Sequence, residues 1–417
     1  MTEKLFTKNF SLLIFGQLTS LFGNFILKLA LSMYVLEVTG SAAIFAGILS
    51  AATIPTILLS PLGGILADRA DRRSIMVALD VLTGVSILGA SLFLSESNAI
   101  AVISTLLIIL SILGAFETPT VQACIPTLLQ GDNIMKGNVV VNQVASLSCL
   151  IAPMLGGVLY AMLGLKPVMY ASLICFFLTA LFEWFIKLSY QRTQNQGGVL
   201  QIIKQDFLSS MQYILKEQTS ISKMLFLTAF SRFFVMGITI VGLPFLVRTV
   251  LGFNAKYYGA AESALAIATI LGSIAAGGLA EKLKLHKLSV LLASLGIFII
   301  PAGIAFLLPV NSIIKYGITI VSFCGMQAVI SIFSIFAVSL IQLRTPNYLI
   351  GKVMAYTSTI TLCIRPIGQI VYGFLFDRFH NEVYFVFIPT GIIVCIVGLS
   401  AMRLFRNMER EQQELSA

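Results

Sequence analysis

Twelve apolar runs, each long enough to cross the hydrocarbon of a bilayer as a helix, fix what this chain can become. A spanning helix needs about 20 such residues, and in lipid its backbone polar groups must be satisfied within the segment itself. The runs are Asn9 to Val38, Ser41 to Ala67, Ser74 to Ser95, Ala99 to Val121, Asn138 to Met162, Pro167 to Leu188, Met224 to Val247, Tyr257 to Ala280, Leu288 to Leu308, Ser312 to Ile341, Val353 to Phe376, and Val383 to Leu404. Composition agrees, with 58% of the 417 residues apolar, 11% charged and a mean hydropathy of +0.95. Such values do not suit a water-soluble globule. The fold class is therefore an all-α membrane protein of twelve transmembrane helices.

An even number of spans puts both termini on one side, and the Lys and Arg residues of the loops decide which. With the termini inside the cell, the inner segments hold nineteen of them and the outer segments five. The positive-inside rule then predicts cytoplasmic termini in a multi-pass protein of the cell membrane. The same distribution accounts for the net charge of +9, so no nucleic-acid partner is implied. The first run is too long for a signal peptide and lacks a cleavage site.

Six cysteines all fall inside apolar runs without CxxC spacing and read as small buried residues. His286 and His380 lie far apart, so no metal cluster is visible and no cofactor is expected. Neither G-x-x-x-x-G-K-[ST] nor H-E-x-x-H nor G-x-S-x-G occurs, and no loop has room for a nucleotide domain. An ATP-driven pump and an intramembrane enzyme are both disfavoured.

The longest polar stretch, Ser189 to Ser222, divides the spans six and six. It predicts an N-terminal six-helix bundle over residues 1–188, a cytoplasmic linker over 189–222, a C-terminal six-helix bundle over 223–404 and a tail over 405–417. Leu200, Ile203, Phe207, Met211 and Ile214 recur at helical spacing within the linker, which fits an amphipathic helix at the inner surface or a plain tether. The two halves repeat one another. Gly40 and Gly47 match Gly252 and Gly259 at an offset of 212, while Asp68 matches Glu281 and Pro153 matches Pro366 at 213. Two parallel six-helix repeats with a substrate site between them are one known plan for a secondary transporter.

The words that sharpen this plan are G-x-L-A-D-R-x-x-R-R at Gly64 to Arg73, T-G-S at Thr39 to Ser41, Asp80 in the third run, and T-P followed by I-P-T-L-L within Thr118 to Leu129. Together they make the chain resemble the major facilitator superfamily, and within it the macrolide-efflux type of drug:proton antiporter. The resemblance implies alternating access and a latch on the cytoplasmic side, in which Asp68 bridges to the start of helix 11 near Val353 while Gly64 lets the halves approach. The positive end of the helix 11 dipole gives that carboxylate a physical partner. Arg69, Arg72 and Arg73 belong to the same gate, with Glu117 on helix 4 as the acid expected to pair with Arg72. Asp71 stands where the family usually has glycine.

Helix 5 resembles the antiporter motif through Ser148, Ala152, Pro153, Gly156 and Gly157, with Ser148 and Ala152 in place of glycines. Small residues there permit close packing, and the proline bends the helix. Ionisable groups within the spans are costly and point to function. They are Lys28, Asp80, Glu117, Arg232, Glu262 and Arg365. Gln17, Asn24 and Lys28 share a face of helix 1, and comparable polar stripes run through Arg232 on helix 7, Gln327 on helix 10 and Arg365 on helix 11. These residues are the expected substrate or proton pathway. Glu262 is the first candidate to carry a proton, or else a salt-bridge partner of Lys28; Glu117 is the second. The positive bias of Lys28, Arg232 and Arg365 suits a lipophilic substrate that is neutral, anionic or zwitterionic. The expected protein is a monomer that expels lipophilic drugs in exchange for protons, the alternative being an exporter or flippase of an endogenous metabolite such as a siderophore or lysolipid.

Overall fold

The first two helices begin and end on residues suited to the task. Thr7 caps the first helix, its hydroxyl accepting from the Phe10 N–H at 3.2 Å, and Gly40 closes it in the left-handed region at φ 63°. Ser41 then caps the second through the Ile44 N–H. The computed structural model describes residues 5–188, 219–279, 286–346, 350–407 and 409, with backbone alone at 68, 69, 132, 219, 220, 351, 352 and 355. The expected amphipathic stretch from Leu200 to Ile214, and Glu281, lie outside the described residues.

In chain order the helices are α1 (Lys8–Thr39), α2 (Ala42–Arg69), α3 (Arg72–Phe93), α4 (Ala99–Leu128), α5 (Asp132–Leu163), α6 (Leu165–Trp184), α7 (Thr219–Met236), α8 (Ala255–Leu279), α9 (Lys287–Leu307), α10 (Ser312–Arg344), α11 (Ile350–Arg378) and α12 (Tyr384–Ser400). After α7 the chain stays helical through a π-helical segment, Gly237–Gly242, a short α turn, and a second π-helical segment, Leu246–Val250. Twelve spans are long and apolar enough to cross a membrane. α4 continues past Val121 to Leu128 in spite of Pro119 and Pro126, as spanning helices can when neighbouring groups take up the freed carbonyls. α6 stops at Trp184, short of Leu188, because the Asn9 side chain accepts from the Lys187 N–H at 3.2 Å and donates to the Lys187 carbonyl at 3.0 Å.

The helices gather into two compact units. One holds residues 1–195 with 246–266, and the other 196–245 with 267–417. Within both, helices meet where one of them has no side chain. In the first unit a Cβ added at Gly63 of α2 would run into the Ala115 carbonyl of α4, one at Gly23 of α1 would sit 3.0 Å from Cys175 of α6, and one at Gly84 of α3 would sit 3.1 Å from the Phe177 ring. In the second unit Gly296 of α9 lies against the Gly391 carbonyl of α12, and Gly368 of α11 lies against the Phe233 carbonyl of α7. Tyr372 of α11 completes a buried aromatic group there, bonded to Thr390 at 2.9 Å.

The repeat shows in the backbone as well. Gly40 after α1 and Gly252 after α7 both adopt left-handed φ, at 63° and 70°, and Pro153 and Pro366 both lie inside helices, α5 and α11. Valine at Gly296 is expected to cost about 1–3 kcal/mol by overpacking and to lower the unfolding midpoint in detergent. Alanine at Gly277, where no described atom lies within 4 Å of the added Cβ, should stay within about 0.5 kcal/mol of wild type.

Candidate transport site

The stretch from Gly64 to Arg73 turns the chain from α2 into α3. Asp71 is the N-cap of α3, its carboxylate accepting from the Ser74 N–H at 3.2 Å, so the departure from glycine has a local structural role. The Arg72 Nε donates to the Ala67 carbonyl at 2.8 Å, closing the end of α2. Arg73 lies over the Trp184 ring of α6 at 5.2 Å. No described atom lies within 4 Å of where Gly64 would carry a Cβ, and the side chains of Asp68 and Arg69 are not described.

Helix α5 uses its motif for close packing in the first unit. A Cβ at Gly157 would strike the Ala255 carbonyl of α8, one at Gly156 would sit 3.1 Å from Ile26 Cα of α1, and one at Gly259 would strike the Pro153 carbonyl. The missing N–H of Pro153 frees the Cys149 carbonyl. Beside it the Ser263 hydroxyl of α8 donates to the Leu150 carbonyl at 2.6 Å. Ser148 and Ala152 are fully buried.

Three acids meet inside the same unit. Glu183 of α6 is 1% exposed, as is Asp80 of α3; Asp80 feels the charge of Glu183, and the two carboxyls lie within hydrogen-bonding reach. Glu117 of α4 adds its charge to both, accepts from Ser20 of α1 at 3.1 Å and feels the cation of Lys28. Both Asp80 oxygens and Oε2 of Glu183 have no protein donor. Two carboxylates are acceptors only, so they can bond to each other only through a proton that one of them carries. α1 makes room for this pair at Gly16, whose missing Cβ would lie 3.5 Å from Glu183 Cγ, and Thr179 ties α6 to α1 by donating to the Gly16 carbonyl at 3.2 Å. Gln17 is buried nearby in sequence on α1, while Asn24 and Lys28 are more exposed. Glu262 of α8 stands apart, with Tyr258 one turn earlier as its hydrogen-bond partner.

The second unit places Arg232 of α7 and Arg365 of α11 within electrostatic reach of each other. Arg232 donates to Ser334 of α10 at 3.4 Å. The Nε atoms of both arginines, Thr239 Oγ1 and Gln327 Oε1 are buried without a protein partner.

At the C-terminal end of α1, Glu37 pairs with Arg248 at 2.8 Å and accepts from the Tyr160 hydroxyl of α5 at 2.6 Å. Arg248 lies in the last π-helical turn after α7, within the first unit.

Comparison with known proteins matches residues 13–365 to the Major Facilitator Superfamily. The chain belongs to that superfamily. It is 24% identical over 392 residues to Macrolide efflux protein A of Streptococcus pyogenes, spanning 93% of this chain and 94% of that protein. A protein of the same name from Enterococcus faecalis is 22% identical over 320 residues, 76% of this chain and 95% of its own. Among solved structures, the nucleoside transporter NupG aligns with a TM-score of 0.73 at 12% identity over 96% of this chain and 99% of that one. A bacterial homologue of the lysosomal transporter Spinster aligns at 0.73 and 13% over 98% and 99%. This superfamily member is thus a multi-pass membrane transporter and not an enzyme.

Within the transporter, Asp80 and Glu117, expected as separate embedded acids, are brought together. Glu183, Glu37, Tyr160 and Arg248 were not among the expected site residues. Glu183 had a usable signal, since Cys175, Thr179 and Glu183 recur every fourth residue on α6 opposite Gly16 and Gly23 of α1. A double-mutant cycle over Glu37→Gln and Arg248→Gln, read by thermal unfolding, should give a coupling of about 0.5–1 kcal/mol. It should shrink as salt is raised.

Proposed function

We propose that this transporter exports lipophilic compounds in exchange for protons by alternating access, with both termini in the cytoplasm. The relatives named for macrolide efflux support the direction and the substrate type. Coupling rests on one observation: Asp80, Glu117 and Glu183 are gathered in one bundle, and both Asp80 oxygens and Oε2 of Glu183 are buried without a protein donor. A proton held between that pair supplies the missing hydrogen bond. Its departure would leave adjacent negative charges in a low-dielectric interior, where repulsion is strong. Release therefore requires water to enter the bundle, which ties the proton to a conformational change. Glu117, reached by Ser20 and Lys28, connects the pair to the polar face of α1 that carries Gln17 and Asn24. Glu262 remains a separate candidate, with Tyr258 to steady it.

The cytoplasmic latch is assigned to the first repeat. Asp68 carries it, with Gly64, Arg69, Arg72 and Arg73 around it, because the second repeat has Glu281 and lysines without the D-R-R ending. Asp68→Asn should therefore slow transport much more than Glu281→Gln, and equal losses in a proteoliposome assay would remove that distinction.

Coupling is tested in proteoliposomes supplied with a panel of neutral, zwitterionic and anionic lipophilic compounds. Wild-type export should follow an imposed proton gradient and ignore a sodium gradient. Glu183→Gln is expected to abolish gradient-driven accumulation, with passive counterflow retained. Full gradient-driven accumulation by Glu183→Gln would move the coupling site elsewhere, and its loss in Glu262→Gln instead would locate it on α8.

A further inference from the structure

We infer that Arg232 and Arg365 form an anion-binding site in the second unit, one that takes the carboxylate or phosphate group of a lipophilic transported compound. The inference rests on the transporter reading and names a substrate class for it. Helix packing creates the pair. The Phe233 backbone of α7 meets Gly368 of α11 directly; Arg232 precedes the one contact by a residue and Arg365 the other by a helical turn, so the two arginines flank one helix contact. Arg365 feels the positive charge of Arg232.

No acid described on the helices of this unit lies beside them. Among the described residues, α7, α9, α10 and α12 contain no Asp or Glu, and the one acid of α11, Asp377, lies twelve residues beyond Arg365, or about 18 Å along the helix. Protein groups leave most of the donors unused. Arg232 reaches Ser334 at 3.4 Å, while the Nε atoms of both arginines are buried without a partner. A planar fork of N–H donors matches two oxygens of a carboxylate or phosphate. Like charges in a spanning segment that find no internal counter-charge are retained for something they bind.

The surroundings fit a compound with an apolar body. Phe230 and Phe233, on either side of Arg232, are partly exposed and meet Phe234 edge to face at 4.5 and 5.0 Å between ring centroids. Gln327 Oε1 and Thr239 Oγ1 are buried without a partner in the same unit. They offer orienting contacts to the polar portion of such a molecule.

The test measures binding to the purified full-length transporter by thermal shift, with hexyl phosphate, hexanoate and hexyltrimethylammonium as probes. Hexyl phosphate and hexanoate should raise the unfolding midpoint of wild type, and hexyltrimethylammonium should not. Arg232→Gln and Arg365→Gln should each weaken the anion response at least about tenfold, or ~1.4 kcal/mol. Arg365→Lys should keep part of it. Without probe, Arg365→Gln should melt at or above the wild-type temperature, since removing one of two repelling charges relieves the unliganded protein.

A wild type that ignores both anions, or glutamine variants that retain its concentration dependence, would overturn the site. So would a lowered unliganded midpoint in Arg365→Gln that Arg365→Lys restores, which marks the arginine as structural. Nanodiscs with and without lysophosphatidylglycerol separate the source of the anion. Loss of the hexyl phosphate response in the lysolipid discs assigns the site to a lipid headgroup, and an unchanged response assigns it to a soluble amphiphile. No ion gradient is used, so a failure here is distinct from a failure of proton-driven export.

Discussion

In hydrocarbon an apolar side chain gains almost nothing by leaving lipid for another helix, so helices that associate there must do so by close backbone approach and by hydrogen bonds. That constraint explains why so many contacts in this transporter fall on glycine. Gly63, Gly84, Gly156 and Gly296 each face a neighbouring helix so closely that a methyl group would have to displace backbone or ring atoms. The functional groups inherit their positions from such contacts. Gly16 leaves the space that Glu183 fills, and Gly368 brings α11 against α7 at the level of Arg232. Chemistry in the two units is thus a consequence of where side chains are missing.

The interiors have opposite electrostatic character. Asp80, Glu117 and Glu183 make the first unit acidic, and Arg232 with Arg365 makes the second basic. Burial of unbalanced charge is expensive in a membrane, and each unit tolerates it in a different way. A single proton can satisfy two facing carboxyls, because one of them then becomes a donor. Arginines have no such remedy at any accessible pH. On the proposed reading, the first unit is completed by its coupling ion and the second by its substrate.

Much of this was legible in the sequence. Run length gave the twelve helices, and the offset of 212 gave a pair of glycines, Gly40 and Gly252, that share a left-handed backbone. Polar stripes identified the faces bearing Arg232 and Arg365. Partners were less accessible, because helical spacing tells which residues share a face and says nothing of which helix lies opposite. Glu183 was hidden by its neighbours: an acid next to Trp184 and Phe185, with Lys187 beyond, has the composition of a membrane interface. Only packing of α6 on α1 and α3 shows it to be 1% exposed. Asp71 reversed the difficulty, since its departure from the family pattern was plain but its role as a helix cap needed the geometry of Ser74.

The repeat also clarifies the contact between Glu37 and Arg248. Glu37 stands three residues before Gly40 and Arg248 four before Gly252, so near-equivalent positions of the two repeats carry opposite charges. Both side chains keep about a third of their exposure, at 29% and 31%, and an ion pair so wet contributes ~0–1 kcal/mol. The glycine contacts have the other property, being dry and set by backbone atoms that cannot yield without moving a helix. On the proposed reading the protein changes shape in each cycle and needs both kinds: contacts that hold helices in fixed pairs, and contacts at helix ends weak enough to part.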